Sequence, residues 1–352
     1  MIAEKSQLQI DAWLKDPDSV FIYQEQVPDK PAPEDFSRAA QKALEWMHLE
    51  LNGQKVVIKP NVTSGEHFAD PDTGITTHPG FVGGLAEYFY RHHARPGGVY
   101  IVEDPRDTDD YNPRHWKGTG YLEMAQASGA KIRCPHSKYC VKKPVPEFMV
   151  HPFRNVTRYA VDPQSVLINV PKMKTHNLGI TSLCLKNLMG LDDVFDRHYC
   201  GQAWNDLPAD RMHADRPKSE WMDEELHEQW QTGLAKRLAD LAKVIKPDLN
   251  IVEGVVGRDG TGFNRGRNYP LGMVIAGINP VAVDSVTSFI MGFDPSELIY
   301  LRVAQAAGLG QNDLTRLHLF TVEDDKITPC DHIEHLQVEE PFRVIRDIIG
   351  ES

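Results

Sequence analysis

The chain has 352 residues, with 38 Lys plus Arg against 50 Asp plus Glu and a net charge of −12. That balance argues against a general nucleic-acid binder, so any positive charge that matters is local. The five cysteines, at 134, 140, 184, 200 and 330, form no CxxC pair; this argues against a disulfide framework, a zinc ribbon or an internal iron–sulfur cluster, and for a reducing compartment.

The opening MIAEKSQLQIDAWLKDPDS has no apolar segment of the kind a secretory signal needs. No run approaches the about 20 apolar residues of a membrane span. A cytoplasmic protein with no membrane partner is expected. Residues 1–52 read as a leader whose PEDFSRAAQKALEWMHLEL carries helical periodicity, with Glu34 and Asp35 near its start. KVVIKPN then reads as a short buried strand, HPGFVGGLAEYFYRHH as a helix, GGVYIVEDP as a strand, GYLEMAQASG as a helix and AKIRCP as a strand. The run SVLINVPK has the continuous apolar character of a strand covered on both faces. Helices are expected near 180–190 and 233–245, followed by the strand LNIVEGVVG. The strand LGMVIAG, a helix from Pro280 to Met291 and a helix near 296–307 close the pattern. Strands alternating with helices define an α/β protein with a mostly parallel sheet, in one domain or two lobes around a cleft. The core spans 53–320 and 321–352 is a C-terminal extension.

Residues 192–232 break the rhythm. They are polar, show no strand pattern, and hold Trp204, Trp221 and Trp230 with His198, His213 and His227. Long connections of this kind serve as lids or as subunit contacts, here of a homo-oligomer.

Ligands in open parallel sheets bind beyond the carboxyl ends of the strands. Four candidate strands end there in useful chemistry: Lys59 and Asn61; Glu103 and Asp104; Lys172, Lys174 and His176; Glu253, Arg258 and Asp259. In an extended backbone a spacing of two puts Lys172, Lys174 and His176 on one side, and likewise Lys59 and Asn61. Such a cluster is a receptor for carboxylate or phosphate. Lys186 and Asn187 interrupt the apolar GITSLCLKNLMGL, which is expected to be helical. A lysine there is tolerated if it reaches the same cleft, as an anion anchor or a general base. Gly260 and Gly262 follow a strand and could cradle an anion with backbone amides. Neither GxGxxG before a helix nor GxxxxGK[ST] is present, so no nicotinamide or P-loop site is expected. Asp284, one turn into an apolar helix, suits either the positive helix end or a lysine in the crevice. His78, Asp104 and His176 are the candidate ligands for a divalent ion, since two histidines and a carboxylate suit such a metal.

The stretches VVIKPNV, TTHPGFV, VEDP, VLINVPKMKTHNLGITSLCLKNLMGL, NIVEGVVGRDGTGFNRG and AGINPVAVDSV, over roughly residues 50 to 310, resemble the family called domain of unknown function 362. The resemblance implies redox work with an external partner for some members, because ferredoxin-like modules accompany them. This chain lacks the cysteine runs of such a module. The family is also distantly similar to nickel-pincer lactate racemases, which implies a two-lobed α/β architecture and chemistry at a carbon next to a carboxylate. The leading expectation is therefore an enzyme for a small anionic, carboxylate-bearing molecule. Lys59, Lys172 and Lys174 would bind charge, Asn61 and Asn187 orient the substrate, and His176, Lys186 or Lys174 transfer a proton. Asp104, Gly260, Gly262 and Asp284 would complete the binding set. Isomerase, lyase and oxidoreductase chemistry all fit. A non-catalytic binder or sensor of an anionic ligand, and an interaction protein using the Trp-rich segment, are the alternatives.

Overall fold

The structure is a computed structural model that describes residues 12–47, 49, 51, 53–62, 70–92, 94, 97–103, 113–193, 218–323 and 326–346. In chain order its strands are β1 (Ser19–Gln24), β2 (Lys55–Pro60), β3 (Val99–Val102), β4 (Lys131–Arg133), β5 (Cys140–Pro144), β6 (Phe153–Thr157), β7 (Ser165–Val170), β8 (Lys172–His176), β9 (Ile180–Thr181), β10 (Leu249–Arg258), β11 (Asn268–Gly277), β12 (His318–Glu323) and β13 (Lys326–Pro329). The α-helices are α1 (Pro33–Glu45), α2 (Pro79–Arg91), α3 (Tyr121–Ser128), α4 (Arg158–Val161), α5 (Cys184–Asn187), α6 (Lys218–Trp221), α7 (Glu224–Val244), α8 (Pro280–Ile290) and α9 (Ile299–Ala306).

One mixed, mostly parallel sheet runs in the order β13-β12-β1-β11-β10-β7-β2-β3-β4, with β8 and β9 continuing beside β10. Side chains alternate between its faces, as the two-residue period of a strand requires. Phe21, Val56, Ile58, Ile101 and Ile168 pack on one face with residues of α1 and α2. Val57 and Leu167 pack on the other with α5, α7 and α9, and Val20, Ile22 and Ile275 with α8. The continuous apolar runs of β2 and β7 follow from burial on both faces.

The expected α/β architecture is what forms. The leader, however, also contains β1, which lies inside the sheet between β12 and β11. SVFIYQ is a β-branched and aromatic run, and pairing buries both its faces. The C-terminal extension likewise supplies the second half of β12 and all of β13. GITSLCLKNLMGL is not one helix: it divides into β9, the short α5 and a 3-10 turn at Leu188–Leu191. Of the 192–232 segment, residues 194–217 lie outside the described residues, including Trp204, His198, Cys200 and His213. Its last part belongs to α7, where Trp230 and His227 are buried. Among the described residues, no helix is long and apolar enough to cross a membrane.

Candidate functional site

Strands β2 and β7 are parallel neighbours, with Lys59 opposite Asn169 and Pro60 opposite Val170. Yet the helices that follow them cover opposite faces: α2 follows β2 on one, α5 and α7 follow β7 on the other. This reversal is a topological switch point, and the crevice at the carboxyl ends of its strands is where open α/β sheets bind ligands. Lys59 ends β2. Pro171 interrupts the ladder after β7, and the chain continues beside β10 as β8, which carries Lys172, Lys174 and His176. By the alternation of the strand these three share one side, while Met173 packs into the apolar cluster around Val252.

All three are buried, as is Lys59. Burial of ammonium groups requires partners, and two of the lysines have carboxylates. Lys59 Nζ lies 2.5 Å from Glu103 Oε2 and donates also to the carbonyl of Pro60 at 2.7 Å and to Asn187 Oδ1 at 3.1 Å. Lys172 Nζ lies 2.6 Å from Glu253 Oε2, and its pKa is lowered, by burial first, with Glu253 opposing. The backbone N–H of His78 also donates to Glu253, at 3.3 Å. The Tyr121 hydroxyl donates to the carbonyl of Thr77 at 2.8 Å, and burial, then Glu103 and Glu253, push its pKa well up.

Lys174 is different. Among the described residues its one acceptor is the carbonyl of Gly262, at 3.2 Å, and no carboxylate pairs with it. The ring of Phe263 lies 5.1 Å from its Nζ. Burial lowers its pKa to about 7, helped by the charges of Lys186, Lys172 and Arg258 and opposed by Glu103. Lys186, on α5, is half-buried and makes no hydrogen bond or ion pair with a described side chain. It therefore adds positive potential to the site, with no paired carboxylate among the described residues.

His176 Nδ1 accepts the backbone N–H groups of Leu178 at 3.0 Å and Gly179 at 3.1 Å. This arrangement assigns the proton of the neutral ring to Nε2. His78 Nδ1 accepts the N–H of Gly80 at 3.0 Å and so caps α2, and its ring stacks on Phe36 at 3.8 Å. Burial and the nearby Lys172 lower its pKa to about 3, so it is neutral at physiological pH. Each of these histidines thus has its Nδ1 committed to backbone. Asp104, the third candidate ligand, lies outside the described residues. Among the described residues no three His, Cys, Asp or Glu side chains converge on a metal position.

The remaining candidates have assigned places. Asn187 is engaged on both sides of its amide: besides accepting from Lys59, its Nδ2 donates to the carbonyl of Lys59 at 3.0 Å and to Asn169 Oδ1 at 2.8 Å. Asn61 is half-buried, with its backbone N–H bound to Thr77 Oγ1 at 2.9 Å. Gly260 and Gly262 adopt φ of 84° and 77°, which favours glycine, and the amide of Gly260 is taken by the carbonyl of Arg343. The loop thus offers Lys174 a carbonyl, from Gly262. Asp284 accepts the N–H groups of Cys184 at 2.7 Å and Leu185 at 3.0 Å, so it caps α5 from another helix. Burial raises its pKa to about 7 against those hydrogen bonds.

Residues not singled out beforehand also build the site. Asn169 Nδ2 donates to Asn250 Oδ1 at 2.9 Å, and Asn250 donates in turn to the carbonyl of Ile278 at 3.1 Å. An asparagine relay therefore runs from Lys59 across β7 and β10. Its signal was in the sequence, as one asparagine inside each of the apolar runs SVLINV and LNIV. Glu103 and Glu253 were visible at strand ends, but their pairing with lysines was not. A separate cavity of about 470 Å3 opens at the opposite end of the sheet, lined by Lys15, Asp248 and Asn279 among others. Of the residues singled out by sequence, it contains none.

The chain is matched over residues 56–288 by the family described as Domain of unknown function (DUF362), and it belongs to that family. It is also similar to the thylakoid-associated protein sll1697 of Synechocystis sp., with 24% identity over 273 residues, covering 73% of this chain and 69% of that protein.

Proposed function

We propose that the switch-point cluster binds the carboxylate of a small anionic substrate and exchanges a proton on it. The observation that carries this reading is Lys174: a buried lysine with a lone carbonyl acceptor, three cations for neighbours and a pKa of about 7. A group titrating near neutral pH accepts and returns a proton with least loss of driving force. In its charged form the same group attracts an anion, whose arrival would offset the repulsion from Lys172, Lys186 and Arg258. His176 Nε2–H is a second donor on the same side of β8. Glu103, Asn187 and the asparagine relay hold Lys59, and Glu253 holds Lys172, so these two lysines are fixed in place as charge-compensated pairs. A cytoplasmic location is proposed as well; it is supported by Cys134, Cys140, Cys184 and Cys330, none of which is in a disulfide.

The test is exchange of the hydrogen next to the carboxylate of small 2-hydroxy and 2-keto acids, followed by proton NMR in D2O. Wild type is expected to exchange at least one of them, and Lys174→Met to lose that exchange with its melting temperature kept. Full exchange by Lys174→Met would remove Lys174 from the chemistry. Saturable anion binding with no exchange by wild type would favour the non-catalytic binder.

A further inference from the structure

Strands β5 and β6 form a two-stranded hairpin separate from the main sheet. Its turn and the first residue of β6 carry an apolar patch: Phe148 is 53% exposed, Met149 38% and Phe153 50%. Among the described residues the one other large hydrophobic side chain so exposed is Met222, so the patch is local and not a general property of the surface. Pro144, Pro146 and Pro152 are exposed around it.

The turn is held in place. Asp240 of α7 accepts the backbone N–H groups of Met149 at 2.7 Å, Val150 at 2.8 Å and His151 at 2.9 Å. Glu147 sits at a φ of 45°, and its carbonyl accepts Lys243 Nζ. Three apolar side chains are thus displayed on an ordered backbone, which lowers the entropy lost on docking.

The surround is basic. Residues 138–158 contain Lys138, Lys142, Lys143, Arg154 and Arg158 against Glu147 alone, and of these cations Arg154 is buried in an ion pair with Asp192. Lys142 Nζ lies 4.4 Å from the ring of Phe153; Lys138 and Arg158 lie 5.0 and 5.3 Å from the ring of Tyr139. In a chain of net charge −12, this hairpin is a cationic and apolar island. Long basic side chains that lie along aromatic rings keep their charges at a polar boundary while the rings enter an apolar one.

We infer that the β5–β6 hairpin docks on an anionic lipid surface, with Phe148, Met149 and Phe153 entering the headgroup layer and Lys138, Lys142, Lys143 and Arg158 meeting the phosphates. Charge complementarity selects this occupant. Lys142 and Lys143 lie on β5, and Lys138 and Arg158 lie in the elements that flank the hairpin; this spread suits a surface of uniform negative charge, and the acidic remainder of the chain is repelled from that surface, which orients the molecule. Docking of this kind is peripheral and requires no spanning segment.

The test is flotation of the full chain with vesicles of phosphatidylcholine alone and of phosphatidylcholine with phosphatidylglycerol. Wild type is expected to float with the anionic vesicles and to be released by salt. Phe148→Ser with Phe153→Ser, and separately Lys142→Glu with Lys143→Glu, are each expected to weaken binding by roughly tenfold or more. These side chains are exposed or half-buried, so unchanged melting temperatures will verify the fold. Failure of wild type to float with anionic vesicles, or flotation of both variants like wild type, overturns the inference. So does a wild-type dimer in solution that the Phe148→Ser, Phe153→Ser variant converts to monomer, because the patch is then a contact between two copies.

Discussion

Lys174 concentrates the physical tension of the site. Its usual pKa is 10.5 and its folded value about 7, so between those pH values the unfolded chain holds a proton that the native chain has lost. Stability therefore rises with pH across that window, and the full cost of the charged form is present below pH 7. The total is on the order of 5 kcal/mol. Lys174→Met is expected to flatten this rise in urea unfolding measured from pH 7 to 10. An anion that binds the charged lysine reverses the linkage: its affinity is expected to fall by up to about tenfold per pH unit above 7, as titration calorimetry with oxalate or inorganic phosphate would record. An affinity independent of pH would separate the anion from Lys174. Burial lowers the pKa of Lys172 as well, but there Glu253, 2.6 Å away, opposes the shift. The difference between Lys172 and Lys174, two residues apart on one strand, comes from the tertiary positions of Glu253 and Gly262.

That distinction marks how far the elements could be read from their own residues. The apolar runs of β2, β7 and β10, and the helices at 79–91, 280–290 and 299–306, were legible because burial on both faces and helical periodicity leave local patterns. The two-residue spacing in KMKTH was also legible, and it does place Lys172, Lys174 and His176 along one strand. Strand β1 was not, since six residues of apolar sequence near a helix do not reveal that partners lie far down the chain. The break between β9 and α5 was hidden for a similar reason: α5 begins where Asp284, 100 positions away in sequence, accepts its first two N–H groups. This cap is testable. Asp284→Ala leaves two buried N–H groups without an acceptor and is expected to cost about 2–5 kcal/mol. Asp284→Asn, which keeps one carbonyl oxygen, is expected to cost less. Equal stability of Asp284→Ala and wild type in urea would remove the cap from the stability of the fold.

At the scale of the molecule, the sheet is assembled from segments that are distant in sequence. Strand β1 pairs with β12 on one side, Phe21 opposite Phe320, and with β11 on the other, Phe21 opposite Ala276. The ring of Phe21 stacks on that of Phe320 at 5.0 Å and packs against Trp46 at the same distance. Removal of residues 1–30 would thus leave β11 and β12 with facing unpaired edges and open the core above α1. A chain starting at residue 31 is expected to be insoluble or to lose its cooperative thermal transition, as calorimetry would record. A soluble, cooperatively melting chain would return these residues to the status of a leader.

The position of β1 also bears on how the protein is made. A ribosome emits roughly 5–20 residues per second, and β1 emerges before any strand that it will pair with. Both its neighbours follow roughly 250 residues or more later, so an apolar strand waits exposed for on the order of 10–50 s. The first strand to be made is therefore paired only after β11 and β12 have emerged, and the interval is one that a chaperone on the nascent chain would cover.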